Sequence, residues 1–384
     1  MNIPYAKQDI TEADRKAVME ALSHPYLTQG PRVAEFENRF AAYVGSDYAV
    51  AVSNGTAALH LSALALGVDS DSRVITTPIT FAASANCIHY CGGEVIFADI
   101  DPKTVLLDLN KVREKIESSP KRLDGMVVVD FAGYPVNMES FRRLADDYGL
   151  WIIEDSCHAP GAYFTDSKGH KQYCGNGKFA DLSVFSFHPV KHIACGEGGM
   201  ITTNSESLYR KLLLLRSHGI TKQREFMSRL DGGWYYEMLE LGYNYRLPDL
   251  LCALGISQLS RAENGILRRQ EIALKYDRAL IGTSFEIIKP TEDIRHAYHL
   301  YVIRHANRHG LYDYLKSMGI FAQIHYIPLT RMPYYRDSIE LSEPLRNADD
   351  YYDKCLSLPM YPSLTEVEQE YVIETLLRWE RENV

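Results

Sequence analysis

Asp181-Leu182-Ser183-Val184-Phe185-Ser186-Phe187-His188-Pro189-Val190-Lys191 reads as an apolar strand that delivers one lysine into a turn. Gly196-Glu197-Gly198-Gly199 follows at once, ahead of the apolar run Met200-Ile201-Thr202. An ammonium is seldom useful among buried strands unless its charge can be removed. Burial lowers the pKa of an amine, and a neutral amine condenses with an aldehyde to form a Schiff base. The ordinary reading of such a lysine is a surface residue at a strand end. Trp151-Ile152-Ile153-Glu154-Asp155 overturns it: a second apolar strand ends in a carboxylate of the kind a pyridine nitrogen needs. A lysine and an aspartate closing two such strands point to pyridoxal phosphate.

Outward from this pair, strands and helices alternate. Strands are expected at Tyr48–Val52, Arg73–Thr76, Glu94–Phe97, Gly125–Val129 and Trp151–Glu154. Helices are expected at Gly55–Leu66, Phe81–Cys91, Asn110–Glu117 and Met138–Tyr148. Met126-Val127-Val128-Val129 is continuously apolar, which suits a strand covered on both faces. The class is therefore α/β, with a mostly parallel, doubly wound sheet. Two helices precede it, at Glu12–Leu22, with Thr11 as N-cap and Asp14 completing a capping box, and at Arg32–Tyr43. After about residue 245 the pattern changes to a long helical stretch, Leu247–Ala279, then strand-like Tyr298–Ile303 and Phe321–His325, and a last helix, Glu366–Arg381. This divides the chain into an N-terminal segment with a large domain over 1–245 and a smaller α+β domain over 246–384.

The chain has 384 residues, 46% of them hydrophobic, ample for a large core. A net charge of −9 without a basic block argues against nucleic acid as a partner. No apolar run reaches membrane-spanning length and Met1–Lys7 lacks a signal-peptide core, so a cytoplasmic protein with no membrane partner is expected. Seven cysteines form no CxxC pair and are expected to be reduced. His188 and His192 flank Lys191 four apart, but Pro189 disfavours a helix there and no third ligand is evident, so no metal is expected.

Other residues gather around the pair. Asn54-Gly55-Thr56 opens a helix after an apolar strand, where free N–H groups and the dipole favour phosphate, although a plain cap would look the same. Ser186 offers a further hydroxyl. Phe81, at the next strand-to-helix turn, could lay its ring on a pyridine face or simply belong to the core. His158, three residues past Asp155, could meet a cofactor oxygen or be a satisfied core histidine.

These segments together carry a family resemblance. Leu27-Thr28-Gln29-Gly30-Pro31, Phe36-Glu37, Asn54–Leu59, Glu154–Ala159, Ser186–Lys191, Gly196–Gly199, Arg216–Gly219, Gly242–Leu247, His325–Pro328 and Leu358-Pro359 resemble the DegT-type sugar aminotransferases, in register along nearly the whole chain. That resemblance implies the aspartate-aminotransferase fold (fold type I) and pyridoxal phosphate. It implies Lys191 as the lysine that binds the cofactor aldehyde, Asp155 as the ring-nitrogen partner, and Gly55, Thr56 and Ser186 at the phosphate. Phe81 would stack on the ring, and His158 stands where many relatives have glutamine. Asn244 would reach the phosphate of a neighbouring subunit, which implies a homodimer with shared sites. Tyr5, His325 and Tyr326 are candidates for the sugar pocket.

The partners so implied are L-glutamate and a nucleotide-linked 4-keto sugar. Ser-Phe-His-x-x-Lys and Leu-Gly-Tyr-Asn-Tyr-Arg-Leu are most like the members of the pseudaminic acid pathway, which implies UDP-2-acetamido-2,6-dideoxy-4-hexulose. Aminoarabinose, perosamine and bacillosamine types are the alternatives within the family, and a non-catalytic regulator that binds pyridoxal phosphate is the alternative outside it. Some relatives dehydrate sugars with a histidine in place of the lysine; this chain keeps Lys191.

Overall fold

The computed structural model describes residues 1–339, 341 and 343–383. A seven-stranded sheet lies at the centre. Across it the strands run Tyr48–Val52, Gly199–Thr203, Leu182–Ser186, Trp151–Asp155, Gly125–Val129, Arg73–Thr76 and Glu94–Phe97. Every adjacent pair is parallel except those made by Gly199–Thr203, which runs against both neighbours. Gly125–Val129 is buried at each residue, and Leu182–Ser186 at all but the last. Such strands need no polar alternation, because neither face meets water.

Helices begin where a short polar side chain satisfies the first amides. Asn54 accepts from Ala57 at 2.8 Å, Asp108 from Asn110 at 2.8 Å and Asn137 from Ser140 at 3.2 Å. At Glu12–Leu22 the Thr11 amide donates to Asp14 at 2.8 Å, the reciprocal half of the expected box.

Beyond the sheet, Glu286–Ile287, Tyr301–Arg304 and Cys355–Leu358 form a small antiparallel sheet. Ile272, Tyr276, Ile303, Leu311, Leu356 and Leu376 build an apolar cluster of their own with it. Ile3 joins that cluster, because Ile3–Pro4 pairs in parallel with Ile320–Phe321.

Three long-range polar anchors hold the N-terminal helices to the rest. Asp249 accepts from the amides of Gly30 at 2.7 Å and Arg32 at 3.0 Å, so one helix start caps another. Asp14, fully buried, takes Ser257 at 2.7 Å, Gln258 at 2.9 Å and Arg261 at 2.7 Å. Glu37 meets Arg216 at 2.5 Å, and both bond the backbone of Ala51. Removing one partner of a buried pair of this kind costs about 3–5 kcal/mol, since the other charge is stranded.

Some boundaries differ from expectation. Leu247–Ala279 is two helices, Asp249–Leu259 and Ala262–Ala279. Arg261 breaks them with φ −121°, its guanidinium committed to Asp9 and Asp14. The helix expected from Phe81 starts at Ala83, leaving Phe81 in the turn. The expected strand at Tyr298 begins at Tyr301, because Tyr298 has φ +49°. Phe321–His325 pairs regularly only over Ile320–Phe321, with a lone bridge from Gln323 to Ser357.

Candidate active site

Parallel strands end along one edge of the sheet, and that edge is where α/β folds place ligands. Val52 leads there into Asn54-Gly55-Thr56, Thr76 into Phe81, Asp155 closes its strand, and Ser186 leads to Lys191. The Lys191 segment is a turn: its amide donates to His188 O at 2.9 Å. Gly196, at φ +87°, supplies the left-handed step that returns the chain as Gly199–Thr203. Gly199 lies so close to the start of Gly55–Ala65 that a Cβ there would stand 2.5 Å from the Asn54 carbonyl oxygen.

Lys191 is half-buried, and desolvation is the main influence on its amine, lowering the pKa below the ordinary lysine value. Cys157 and Asp155 are near enough to oppose that shift. Asp155 is buried and already engaged: Oδ2 accepts from Ser84 Oγ at 2.7 Å and Oδ1 from the Cys157 amide at 3.2 Å.

His158 is buried beside them. Its Nδ1 accepts the Ala132 amide at 3.2 Å, and Nε2 lies 3.2 Å from the Tyr326 hydroxyl. Burial, with the charge of Lys191, holds the ring well below its ordinary pKa, so it is neutral. A neutral ring whose Nδ1 is an acceptor carries its proton on Nε2. His158 Nε2–H therefore donates to the Tyr326 hydroxyl. His299 packs on it at 4.3 Å between ring centroids, and His192 lies 5.7 Å beyond. Both are kept neutral by burial first and by neighbouring cations second.

His325 Nδ1 meets the Ser357 hydroxyl at 2.9 Å, and burial pushes its pKa down to about 3. The Tyr5 ring lies 5.2 Å from His325, and its phenol is raised by burial. Phe81 is 61% exposed, with its ring 6.3 Å from that of Tyr326. An aromatic ring left that open at a sheet-edge turn is a free stacking face.

Gly55 packs on Ser186, where a Cβ would meet the serine Cβ at 3.0 Å and Oγ at 3.3 Å. This brings the start of Gly55–Ala65 against Ser186. The Gly55 and Thr56 amides are the first of their helix, with no intrahelical acceptor, and stay open for an anion. Free amides, an open ring face, a carboxylate and a desolvated lysine fit pyridoxal phosphate. Asn244 stands apart from this group: it is exposed, and its side chain makes no hydrogen bond among the described residues. Its neighbour Tyr245 accepts the Ser53 amide at 2.8 Å, just ahead of that helix start.

Sequence reasoning missed Ser84, Thr80 and His299. Thr80 and Ser84 were readable only as ordinary turn and helix residues, and His299 sits in a stretch taken as strand. It also missed a buried group behind Asp155. Asp130, Glu154 and Cys174 lie close enough to hold a metal ion. Each carboxylate is already bonded, however: Asp130 by Ser156 at 2.7 Å and Val136 at 2.8 Å, Glu154 by Ser183 at 2.6 Å and Gly175 at 2.9 Å. Burial raises the pKa of both, Glu154 to about 6. Of the flanking histidines, His188 is exposed and His192 Nε2 lies 2.9 Å from the Ala297 carbonyl. Among the described residues, no helix is long and apolar enough to cross a membrane.

Comparison with known proteins matches residues 8–377 to the DegT/DnrJ/EryC1/StrS aminotransferase family. The chain is 37% identical to the UDP-4-amino-4,6-dideoxy-N-acetyl-beta-L-altrosamine transaminase of Campylobacter jejuni, over 97% of this chain and 96% of that one. Among solved structures it is similar to PseC of Helicobacter pylori, an aminotransferase of pseudaminic acid biosynthesis. The TM-score is 0.89 and the identity 31%, with both chains covered fully. Spr1654 of Streptococcus pneumoniae, solved in a PLP form, matches with TM-score 0.89 and 25% identity, again over both whole chains. The fold is thus α/β of the aspartate-aminotransferase type.

Proposed function

The chain belongs to the DegT/DnrJ/EryC1/StrS aminotransferase family, and from that premise we propose that it moves the amino group of L-glutamate to C4 of UDP-2-acetamido-2,6-dideoxy-4-hexulose. The observation that carries the reading is Lys191, desolvated and lowered in pKa beside Asp155. The sugar rests on the printed activity of the Campylobacter relative at 37% identity.

Pyridoxal phosphate, when bound, supplies an aldehyde to carry the amino group and a ring to accept an electron pair. Lys191 Nζ holds the aldehyde. Asp155 would keep the ring nitrogen protonated, and His158 would donate from Nε2 toward the ring oxygen. Gly55, Thr56 and Ser186 bind the phosphate, and Phe81 covers the ring. With the cofactor bound, the Lys191 amine would be the group that takes the proton from glutamate Cα and gives a proton to sugar C4. Glutamate and the 4-keto sugar enter, and 2-oxoglutarate and the 4-amino sugar leave. Tyr5, His325 and Tyr326 line the sugar side.

In the same reading the active unit is a homodimer, with Asn244 completing the partner's phosphate site; its exposure and free side chain support this. The enzyme is assigned to the cytoplasm, with seven unpaired cysteines in support. The division near residue 245 is kept, supported by the separate apolar cluster of the C-terminal part.

The test offers the UDP-linked 4-keto-6-deoxy-N-acetylhexosamine and a UDP-linked 4-keto-pentose at equal concentration, with glutamate. Amination of the hexosamine is expected to lead by about 10-fold or more, the worth of one filled methyl-sized subsite. Preference for the pentose rejects the substrate and keeps the transaminase. No 2-oxoglutarate with any 4-keto sugar rejects both.

A further inference from the structure

Asp155 does not face the site alone. Its Oδ2 is 2.7 Å from Ser84 Oγ, and Ser84 Oγ is 2.7 Å from Thr80 Oγ1. All three residues are buried: Thr80 is 3% exposed, Ser84 1% and Asp155 5%. An ionised carboxylate only accepts, so the Ser84 proton points at Asp155. Ser84 then has no proton left for its neighbour, and Thr80 must donate to it. The order is one-way, from Thr80 to Ser84 to Asp155.

The chain of hydroxyls comes from the turn that also carries Phe81. Thr80 precedes Phe81, and Ser84 lies in the first turn of Ala83–Tyr90. One short segment thus turns an open aromatic ring outward and two hydroxyls inward. A hydroxyl bonded to a charged acceptor in a dry site is directional, and it fixes the acceptor's rotamer.

We propose that Ser84, aligned by Thr80, is a positioning residue that holds the Asp155 carboxylate toward the cofactor ring nitrogen and so keeps that nitrogen protonated. The inference rests on the proposed function, since it requires bound pyridoxal phosphate. In this role Ser84 acts only through Asp155.

The test loads wild type, Ser84→Ala, Ser84→Thr and Thr80→Val with pyridoxal phosphate labelled with 15N at the ring, and follows the 15N chemical shift against pH. Wild type is expected to show a protonated ring nitrogen across neutral pH. Ser84→Ala moves the shift toward the deprotonated value. Thr80→Val, which keeps the shape and loses the hydroxyl, moves it the same way by less. Ser84→Thr restores the hydroxyl and the wild-type shift. The glutamate half-reaction of Ser84→Ala falls by about 10- to 100-fold, the span expected for one hydrogen bond to a charged group. An unchanged 15N titration in folded, loaded Ser84→Ala overturns the proposal, whatever the rate does. Should that variant not fold, Thr80→Val decides on the same readout. If wild type does not bind pyridoxal phosphate at all, this inference and the proposed function fall together. If wild type binds it and transaminates while the hydroxyl variants titrate like wild type, only this inference falls.

Discussion

Gly199→Ala is the sharpest single perturbation of the site. The new methyl would lie 2.5 Å from the Asn54 carbonyl oxygen and 2.6 Å from its carbon, where ordinary contact begins at 3.4 Å. Backbone, not a flexible side chain, is what stands in the way. Relief therefore demands a shift of about 0.9 Å, and overpacking of that order costs about 1–3 kcal/mol. The same oxygen accepts the Ala58 amide at 3.1 Å, the first bond of the helix that opens the phosphate cup. The strain thus falls on the cup. Since each ~1.4 kcal/mol is tenfold in affinity, pyridoxal phosphate should bind the variant about 10-fold more weakly or worse. Fluorescence titration of the apoprotein measures this, and thermal melts of the apoprotein measure the accompanying destabilisation. Gly196→Ala is the control. It meets nothing within 4 Å but has φ +87°, so it should lose about 1 kcal/mol of stability with the cup undisturbed. Wild-type affinity in Gly199→Ala, or equal loss of affinity in both variants, would refute the reasoning.

Two further outcomes are expected. Burial raises the Glu154 carboxyl from 4.5 to about 6, so its contribution to stability is full below the lower value and is lost as pH climbs through the higher one. Glu154→Gln cannot ionise, and its unfolding free energy from urea titrations should lose about 2 kcal/mol less across that window than wild type does; matching slopes would count against the buried-proton reading. For the shared site, Lys191→Ala and Asn244→Ala should each be inactive alone and regain part of the activity when refolded together, because one site of a mixed dimer carries both native residues. Verified mixed dimers without activity would show that each chain completes its own site.

Much of the frame was readable because its signals are local. Tyr48–Val52, Arg73–Thr76, Glu94–Phe97, Gly125–Val129 and Met138–Tyr148 fall where apolar runs and helical periodicity put them. A parallel sheet then brings Lys191, Asp155, Thr56 and Phe81 to one edge without further information. What stayed hidden is pairing at long range. Phe36-Glu37 and Arg216–Gly219 read as motifs, yet the structure gives Glu37 and Arg216 to each other and to Ala51. Gly30 and Arg32 need Asp249, and no spacing rule links residues that far apart. The break at Arg261 was missed because helix-forming residues continue through it while Asp9 and Asp14 pull its side chain away. The protonation of His158 was open until the Ala132 amide appeared at Nδ1.

The pairing of Ile3–Pro4 with Ile320–Phe321 sets a clock on assembly. The seven central strands are all made by residue 203, so the sheet edge with Lys191 can form while the ribosome is still at work. The partner of Ile3 arrives far later; at about 5–20 residues per second the wait is on the order of ten seconds. Tyr5 is made long before that wait begins and His325 only at its end, so the two meet after it. The contact between Tyr5 and His325 is accordingly made after the lysine and its carboxylate are in place.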